Sequence, residues 1–133
     1  MTVAGDHIEH EIRISAPAAV VFAYFVDEQR HLDWMGRRVE LDPRPGGIYR
    51  CTMPDRTVVA GTYLTVDPPH RVVFTWGYEG DATIPPGSST VEITLIPDGD
   101  ATLLRLVHTG LPHPQLGPHD QGWTGYLATL AAA

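Results

Sequence analysis

Apolar and polar side chains alternate along seven short segments of the chain, a pattern typical of half-buried β-strands. The clearest case is residues 57–66 followed by residues 71–76, with only Asp67, two prolines and His70 between them. Proline lacks a backbone donor and fixes φ, so this break predicts a tight connection between two antiparallel strands. The other five predicted strands are residues 7–14, 39–41, 48–53, 90–96 and 102–108.

Two short helices are predicted after the first strand. Ser15 and Pro17 are typical of a helix start, and an apolar run with helical spacing continues to residue 26. Asp27 breaks that run and is expected to cap a second helix, which extends to Trp34 and ends at Gly36.

A longer amphipathic helix is predicted at the C-terminal end. From His119 onwards, Trp123, Leu127 and Leu130 recur at helical spacing. The order of elements predicts one α+β domain over residues 1–133, with a curved seven-stranded antiparallel sheet wrapping this last helix. The space between helix and sheet is either filled by side chains or left as a pocket.

Charge and composition exclude several classes of function. The 133 residues include 9 basic and 16 acidic side chains, for a formal net charge of −7 at pH 7, which argues against nucleic-acid and anionic-lipid partners. The apolar run at 16–26 is shorter than the roughly 20 residues that span a bilayer, and acidic residues precede it, unlike a signal peptide. The single cysteine, Cys51, excludes an internal disulfide. A cytoplasmic protein without a cofactor is therefore expected.

An ordered set of short segments resembles a known family. The segments are RISAP at 13–17, PGGIY at 45–49, VDPPHRVVFTW at 66–76, TLLRLVHTGL at 102–111 and GWTGYLATL at 122–130. Together they resemble the small bacterial proteins similar to the C-terminal domain of the heat-shock-protein-90 ATPase activator. That family belongs to the helix-grip superfamily, with lipid-transfer START domains, the birch-pollen allergen and polyketide cyclases. The resemblance implies a pocket between sheet and last helix, but no particular reaction.

Eight residues are predicted to bind a ligand in that pocket. They are His10, Trp34, Tyr49, Met53, Tyr63, Trp76, His108 and Trp123. Trp76 and Trp123 are the expected stacking surfaces, because large aromatic rings dominate packing against apolar ligands. Tyr49 and His108 are expected to supply polar ends. Where the family often has a second tryptophan after Trp34, this chain has Met35, a more flexible side chain.

His10 and His108 lie on the inward faces of two strands that are expected to pair. His108 is interpreted either as a pocket residue, a general base or a histidine satisfied within the core. A metal site would need a third ligand that the sequence does not place, so no metal is predicted. His113 and His119 fall in a proline-rich stretch and are expected to be solvated. Glu79 and Asp81 belong to a predicted mobile loop over residues 77–88 and have no evident partner.

Three functions remain open at this point. The preferred interpretation is a protein that binds a hydrophobic or amphipathic small molecule without changing it, with no catalytic residue assigned. The alternative is a cyclase, dehydratase or hydrolase acting on an aromatic or polyketide-like substrate, which requires an inward titratable group with a shifted pKa. A co-chaperone-like interaction module would instead require an exposed groove. A homodimer is compatible with each.

Overall fold

The computed structural model describes residues 2–4 and 7–133. The strands are β1 (Thr2–Ala4), β2 (His7–Ile14), β3 (Arg38–Leu41), β4 (Ile48–Thr52), β5 (Val58–Asp67), β6 (Arg71–Trp76), β7 (Ser89–Asp98) and β8 (Ala101–Thr109). The helices are α1 (Ala18–Val26), α2 (Glu28–Leu32) and α3 (Leu116–Ala132), and a 3₁₀ turn at His113–Gln115 precedes α3. Within this described part, no helix has the length and apolarity needed to cross a membrane.

The strands form one antiparallel sheet in the order β1-β2-β8-β7-β6-β5-β4-β3. All seven predicted strands are present, so the α+β fold with a curved sheet and a long last helix is confirmed. The short β1 strand, which was not predicted, extends the sheet beyond β2. Three residues are too few for alternation to be recognised in a sequence.

The last helix packs across one face of the sheet. Trp123, Leu127 and Leu130 are all buried, as their spacing predicts. The helix begins at Leu116, earlier than predicted, since the 3₁₀ turn carries the chain into it despite the prolines around His113. The helix therefore covers the inward faces of the strands with its apolar side.

The two short helices are fixed by specific polar contacts. The Asp27 side chain accepts hydrogen bonds from the backbone N–H groups of Gln29 (3.0 Å) and Arg30 (3.2 Å), so the predicted N-cap is confirmed. Gly36 follows α2 with φ +87°, and a Cβ there would lie 2.4 Å from Cys51 Sγ. Glycine is thus required both by the left-handed backbone and by the close approach of β4.

Residues 77–88, predicted to be a mobile loop, have a definite arrangement over the sheet. The backbone N–H of Tyr78 donates to the Ile84 carbonyl (2.8 Å), and the Ile84 side chain is buried in the core. The expectation that Glu79 and Asp81 have no partner is wrong. Glu79 accepts two hydrogen bonds from the Arg50 guanidinium, and Asp81 Oδ1 accepts from the backbone N–H groups of the Thr83–Ile84 pair.

Candidate ligand-binding site

A cavity of about 210 Å³ lies between α3 and the sheet, which is below the roughly 300–1,000 Å³ that is usual for small-molecule pockets. We call it the inner cavity. The strands and loops contribute Met35, Met53, Trp76 and Tyr78, and the helix contributes Pro118, His119, Gly122, Trp123 and Tyr126. Four of these nine residues are tryptophan or tyrosine, so the walls are suited to a flat apolar molecule.

Two indole rings form the inner wall. The ring centroids of Trp76 and Trp123 are 5.2 Å apart with an interplanar angle of 48°. Tyr78 meets Trp76 nearly edge-on, with the centroids 6.1 Å apart and the planes at 87°. Trp76 ends β6 and Trp123 lies two turns into α3, so the wall depends on how helix and sheet dock.

His108 lies behind this wall in a directed hydrogen-bond chain. Trp123 Nε1–H donates to His108 Nδ1 (3.0 Å), so the imidazole proton is on Nε2, which donates to Ser89 Oγ (2.9 Å). The Ser89 hydroxyl in turn donates to the backbone carbonyl of Trp76 (2.7 Å). Burial lowers the pKa of His108 to about 3, with a smaller contribution from His119. A neutral imidazole with both nitrogens bonded is a satisfied core histidine.

A second hydrogen-bonded pair, which the sequence reasoning missed, does line the inner cavity. His119 Nδ1–H donates to the Gln115 carbonyl (2.9 Å), so Nε2 accepts from the Tyr78 hydroxyl (2.9 Å). Burial lowers the pKa of His119, against the opposing effect of the Gln115 hydrogen bond. The expectation that His119 is solvated is wrong because α3 begins before it and turns its ring toward Tyr78. The helical spacing of His119 and Trp123 was the signal in the sequence.

One polar atom in the cavity wall has no partner. Among the described residues, Trp76 Nε1 is the buried side-chain nitrogen or oxygen that makes no hydrogen bond. Burial raises the pKa of Tyr78, and the Trp76 indole N–H opposes that shift, although its geometry toward the Tyr78 hydroxyl falls short of a hydrogen bond. An N–H donor without an acceptor is rare in a folded interior and costs about 1–3 kcal/mol.

A third buried histidine, also missed, connects α2 to the sheet. His31 Nδ1–H donates to the Met35 carbonyl (3.2 Å), and Nε2 accepts from the Tyr49 hydroxyl (2.8 Å). Burial lowers the pKa of His31 to about 4, although the hydrogen bond to Met35 opposes the shift. The same burial raises the pKa of Tyr49 well above its usual value. This network fixes Tyr49 and the Met35 backbone at the edge of the inner cavity.

His10 makes a contact that the sequence did not indicate. Its Nε2 lies 2.7 Å from Asp120 Oδ1, joining β2 to the first half of α3. The imidazole is 3% exposed. In the sheet register His10 pairs with Leu106, and Ile8 pairs with His108, so the two histidines are diagonal neighbours without a mutual hydrogen bond.

Of the eight predicted ligand-binding residues, three line the inner cavity: Met53, Trp76 and Trp123. The other five, His10, Trp34, Tyr49, Tyr63 and His108, belong to the surrounding core, where each makes a side-chain hydrogen bond to another protein group. Tyr63, for example, donates its hydroxyl to the Phe25 carbonyl (2.8 Å), and Trp34 Nε1 donates to the Tyr24 carbonyl (2.9 Å). Alternation gave the correct face of the sheet but not which of its side chains are covered by neighbours. No cluster of three or more His, Cys, Asp or Glu within the described chain is placed to hold a metal.

A curved antiparallel sheet that wraps a C-terminal helix, with a cavity between them, defines a helix-grip protein. The chain belongs to the family described as Activator of Hsp90 ATPase homolog 1-like protein, whose model matches residues 15–133. No curated protein matches the sequence.

Solved structures agree with this assignment. An AHSA1-like protein from Rhizobium etli is 40% identical, with a TM-score of 0.74, over 94% of this chain and 79% of that one. An HSP90 activator from Plasmodium falciparum is 22% identical, with a TM-score of 0.78, over 96% and 95% of the two chains. The Aha1 dimer from Colwellia psychrerythraea is 13% identical, with a TM-score of 0.83, over 96% and 94%. The last two are similar in fold alone.

Proposed function

We propose that the protein binds a small hydrophobic or amphipathic molecule in the inner cavity without changing it. The observation that carries this proposal is the Trp76 indole, whose N–H is buried in an aromatic wall without an acceptor. A ligand oxygen that accepts from Nε1 would remove the cost of the unsatisfied donor, and the two indole faces would hold an aromatic ring. Met53, Trp76 and Trp123 are therefore retained as ligand contacts, and Tyr78, His119 and Tyr126 are added.

The flexible side chains on the opposite side of the cavity support the same function. Met35 and Met53 have unbranched thioether side chains that adapt to differently shaped ligands. A volume of about 210 Å³ suits a compact molecule, and rearrangement of methionines enlarges such a space at little cost in torsional energy. Tyr78 and His119 supply the polar groups that orient a ligand.

A matched pair of glycine variants tests the proposal. Gly122 lines the inner cavity, while Gly125 lies on the same helix outside it, and a Cβ at either position meets no atom within 4 Å. Leucine at either site raises helix propensity by about 1 kcal/mol, so the two variants are matched in stability. The probe is 2-naphthol, titrated by ¹⁵N-edited NMR of the indole N–H signals. We expect binding to the wild type and Gly125→Leu, and binding at least tenfold weaker to Gly122→Leu.

The role of Trp76 Nε1 has its own control. 2-Methylnaphthalene has nearly the same shape as 2-naphthol but lacks the oxygen. We expect 2-naphthol to bind about fivefold more tightly, equivalent to one hydrogen bond of about 1 kcal/mol, and to shift the Trp76 indole N–H signal downfield. The proposal fails if neither probe binds, or if Gly122→Leu binds both probes as the wild type does.

A reaction in the same cavity is a second candidate, favoured by the Tyr78–His119 pair. His119 is oriented by the Gln115 carbonyl and accepts a hydrogen bond from the Tyr78 hydroxyl, an arrangement that general acid–base catalysis uses. Mass spectrometry of small molecules that co-purify with the wild type and with Tyr78→Phe distinguishes the two functions. The same compound in both preparations supports binding alone. A compound that differs by a defined chemical group would favour an enzyme.

A further inference from the structure

The inner cavity adjoins a more polar space at the surface. Tyr78 and His119 line the inner cavity and also a groove of about 620 Å³, which runs between the β4–β5 turn and residues 77–88. We call it the outer groove. The hydrogen bond between Tyr78 and His119 lies where the two spaces meet. A molecule seated against the indole wall that reaches the outer groove would pass this pair.

The outer groove carries negative charge. Its charged side chains are Asp55, Glu79 and Asp81, and neither arginine nor lysine lines it. Glu79 is neutralised by Arg50, which donates to both of its carboxylate oxygens. Hydrogen bonds from Thr57 lower the pKa of Asp55, so this carboxylate is ionised at neutral pH.

Asp55 and Asp81 each have a carboxylate oxygen available to a ligand. The backbone N–H and hydroxyl of Thr57 both bond to Asp55 Oδ1, and two backbone N–H groups bond to Asp81 Oδ1. Among the described residues, no hydrogen bond reaches the Oδ2 atom of either aspartate. Both side chains are thereby held in place by one oxygen while the other keeps its acceptor capacity.

We propose that the site selects amphipathic ligands with a neutral aromatic head and a basic nitrogen, and discriminates against carboxylates and phosphates. The head occupies the inner cavity, where Trp76 Nε1 offers a donor, and the nitrogen lies in the outer groove beside Asp55 and Asp81. This inference rests on the proposed function, because it assigns a chemical class to the ligand of that same cavity. An acidic mouth favours a cation by direct attraction and repels an anion of the same shape.

Three probes with one head and three tails test the inference: 3-(2-naphthyl)propylamine, 3-(2-naphthyl)propan-1-ol and 3-(2-naphthyl)propanoate. They differ in charge at the tail and otherwise match in size. At low ionic strength we expect the amine to bind about tenfold more tightly than the carboxylate, with the alcohol between them. Added salt at about 0.5 M should reduce that ratio to about two or three, since the groove is open to solvent.

Two aspartate variants assign the preference to the outer groove. Asp55→Asn and Asp81→Asn keep an oxygen for the local hydrogen bonds but remove the charge. Each is expected to weaken amine binding about two- to threefold and to leave alcohol binding unchanged. Asp100→Asn is the control, because it changes the net charge equally in the β7–β8 turn, at the far end of those strands. It should change none of the three affinities.

The outcomes separate this inference from the function on which it rests. If the alcohol binds and Gly122→Leu abolishes that binding, the inner cavity is a ligand site whatever the tails do. Equal affinity for amine and carboxylate, or tighter binding of the carboxylate, would then overturn the charge selection alone. Unchanged amine binding in both aspartate variants would overturn it as well. If none of the three probes binds, both proposals are wrong.

Discussion

Acidification is expected to destabilise the protein through two buried imidazoles. His31 and His108 are 1% and 0% exposed, and burial lowers their pKa values to about 4 and about 3. In the unfolded chain each returns to about 6.5. Because the unfolded state binds these protons more readily, the stability is complete above about pH 6.5 and is lost progressively as the pH falls toward the folded values.

The size of the effect follows from the two shifts. Between the unfolded and folded pKa values, each histidine changes the free energy of unfolding by about 1.4 kcal/mol per pH unit. From about pH 6.5 to about pH 5 the two together remove roughly 3–4 kcal/mol, a large part of the roughly 5–15 kcal/mol typical of a domain. His119, whose pKa is also lowered by burial, adds to the loss in the same direction. Most carboxylates titrate below this window, so the histidines dominate it.

Urea unfolding of the wild type and of His108→Gln at about pH 7 and about pH 5 measures this contribution. Glutamine cannot titrate, so the pH-dependent loss should shrink by about 2 kcal/mol even though the variant is less stable at both pH values. His70→Gln, in the exposed β5–β6 turn, is the matched control and should keep the wild-type difference. A wild-type loss below about 1 kcal/mol, or the same loss in His108→Gln, would refute the assignment of buried neutral imidazoles.

Three further outcomes test the packing. Burial raises the pKa of Cys51 to about 12, so iodoacetamide should leave the folded protein unmodified by mass and label it only in urea; rapid native labelling would contradict this. Asp27→Ala should lose about 1 kcal/mol in urea unfolding through the missing N-cap, whereas Asp27→Asn should not. Gly61→Ala should unfold the protein or cost several kcal/mol, because its Cβ would lie 2.0 Å from the Thr75 carbonyl oxygen; Gly125→Ala, which meets nothing, should be stabilising. A stable Gly61→Ala variant would disprove the close approach of β5 and β6.

The sequence was sufficient for the fold because burial on one face imposes a period of two on each strand and of 3.6 on the last helix. That is why Trp123 and Leu127 could be assigned to the buried side in advance. The β1 strand and the start of α3 were missed, since both depend on contacts rather than periodicity. A three-residue strand exists because β2 offers it an edge, and Leu116 becomes helical although prolines surround it.

The site was less predictable because the alternation along a strand shows which way a side chain points but not which residues contact it. His108 points inward as predicted, yet Trp123 from the helix and Ser89 from β7 use both of its nitrogens. Which inward residues remain open depends on how the helix docks, and no local pattern encodes that. Tyr78 and His119 are 41 positions apart, in a loop and a helix, and only the tertiary structure brings them together.

The same two indoles serve the packed core and the wall of the inner cavity, and this double role limits how the cavity can evolve. Trp123 cannot be exchanged without leaving His108 Nδ1 unbonded, and the Trp76 ring packs directly against both of them. Substitutions of either tryptophan should therefore lower the free energy of unfolding. Met35 and Met53 have no side-chain donor, and their sulfur atoms accept only long contacts, from the Tyr49 hydroxyl (3.9 Å) and the Cys51 thiol (3.7 Å). Among relatives, substitutions that change ligand preference should therefore accumulate at the methionine positions, while both tryptophans are retained.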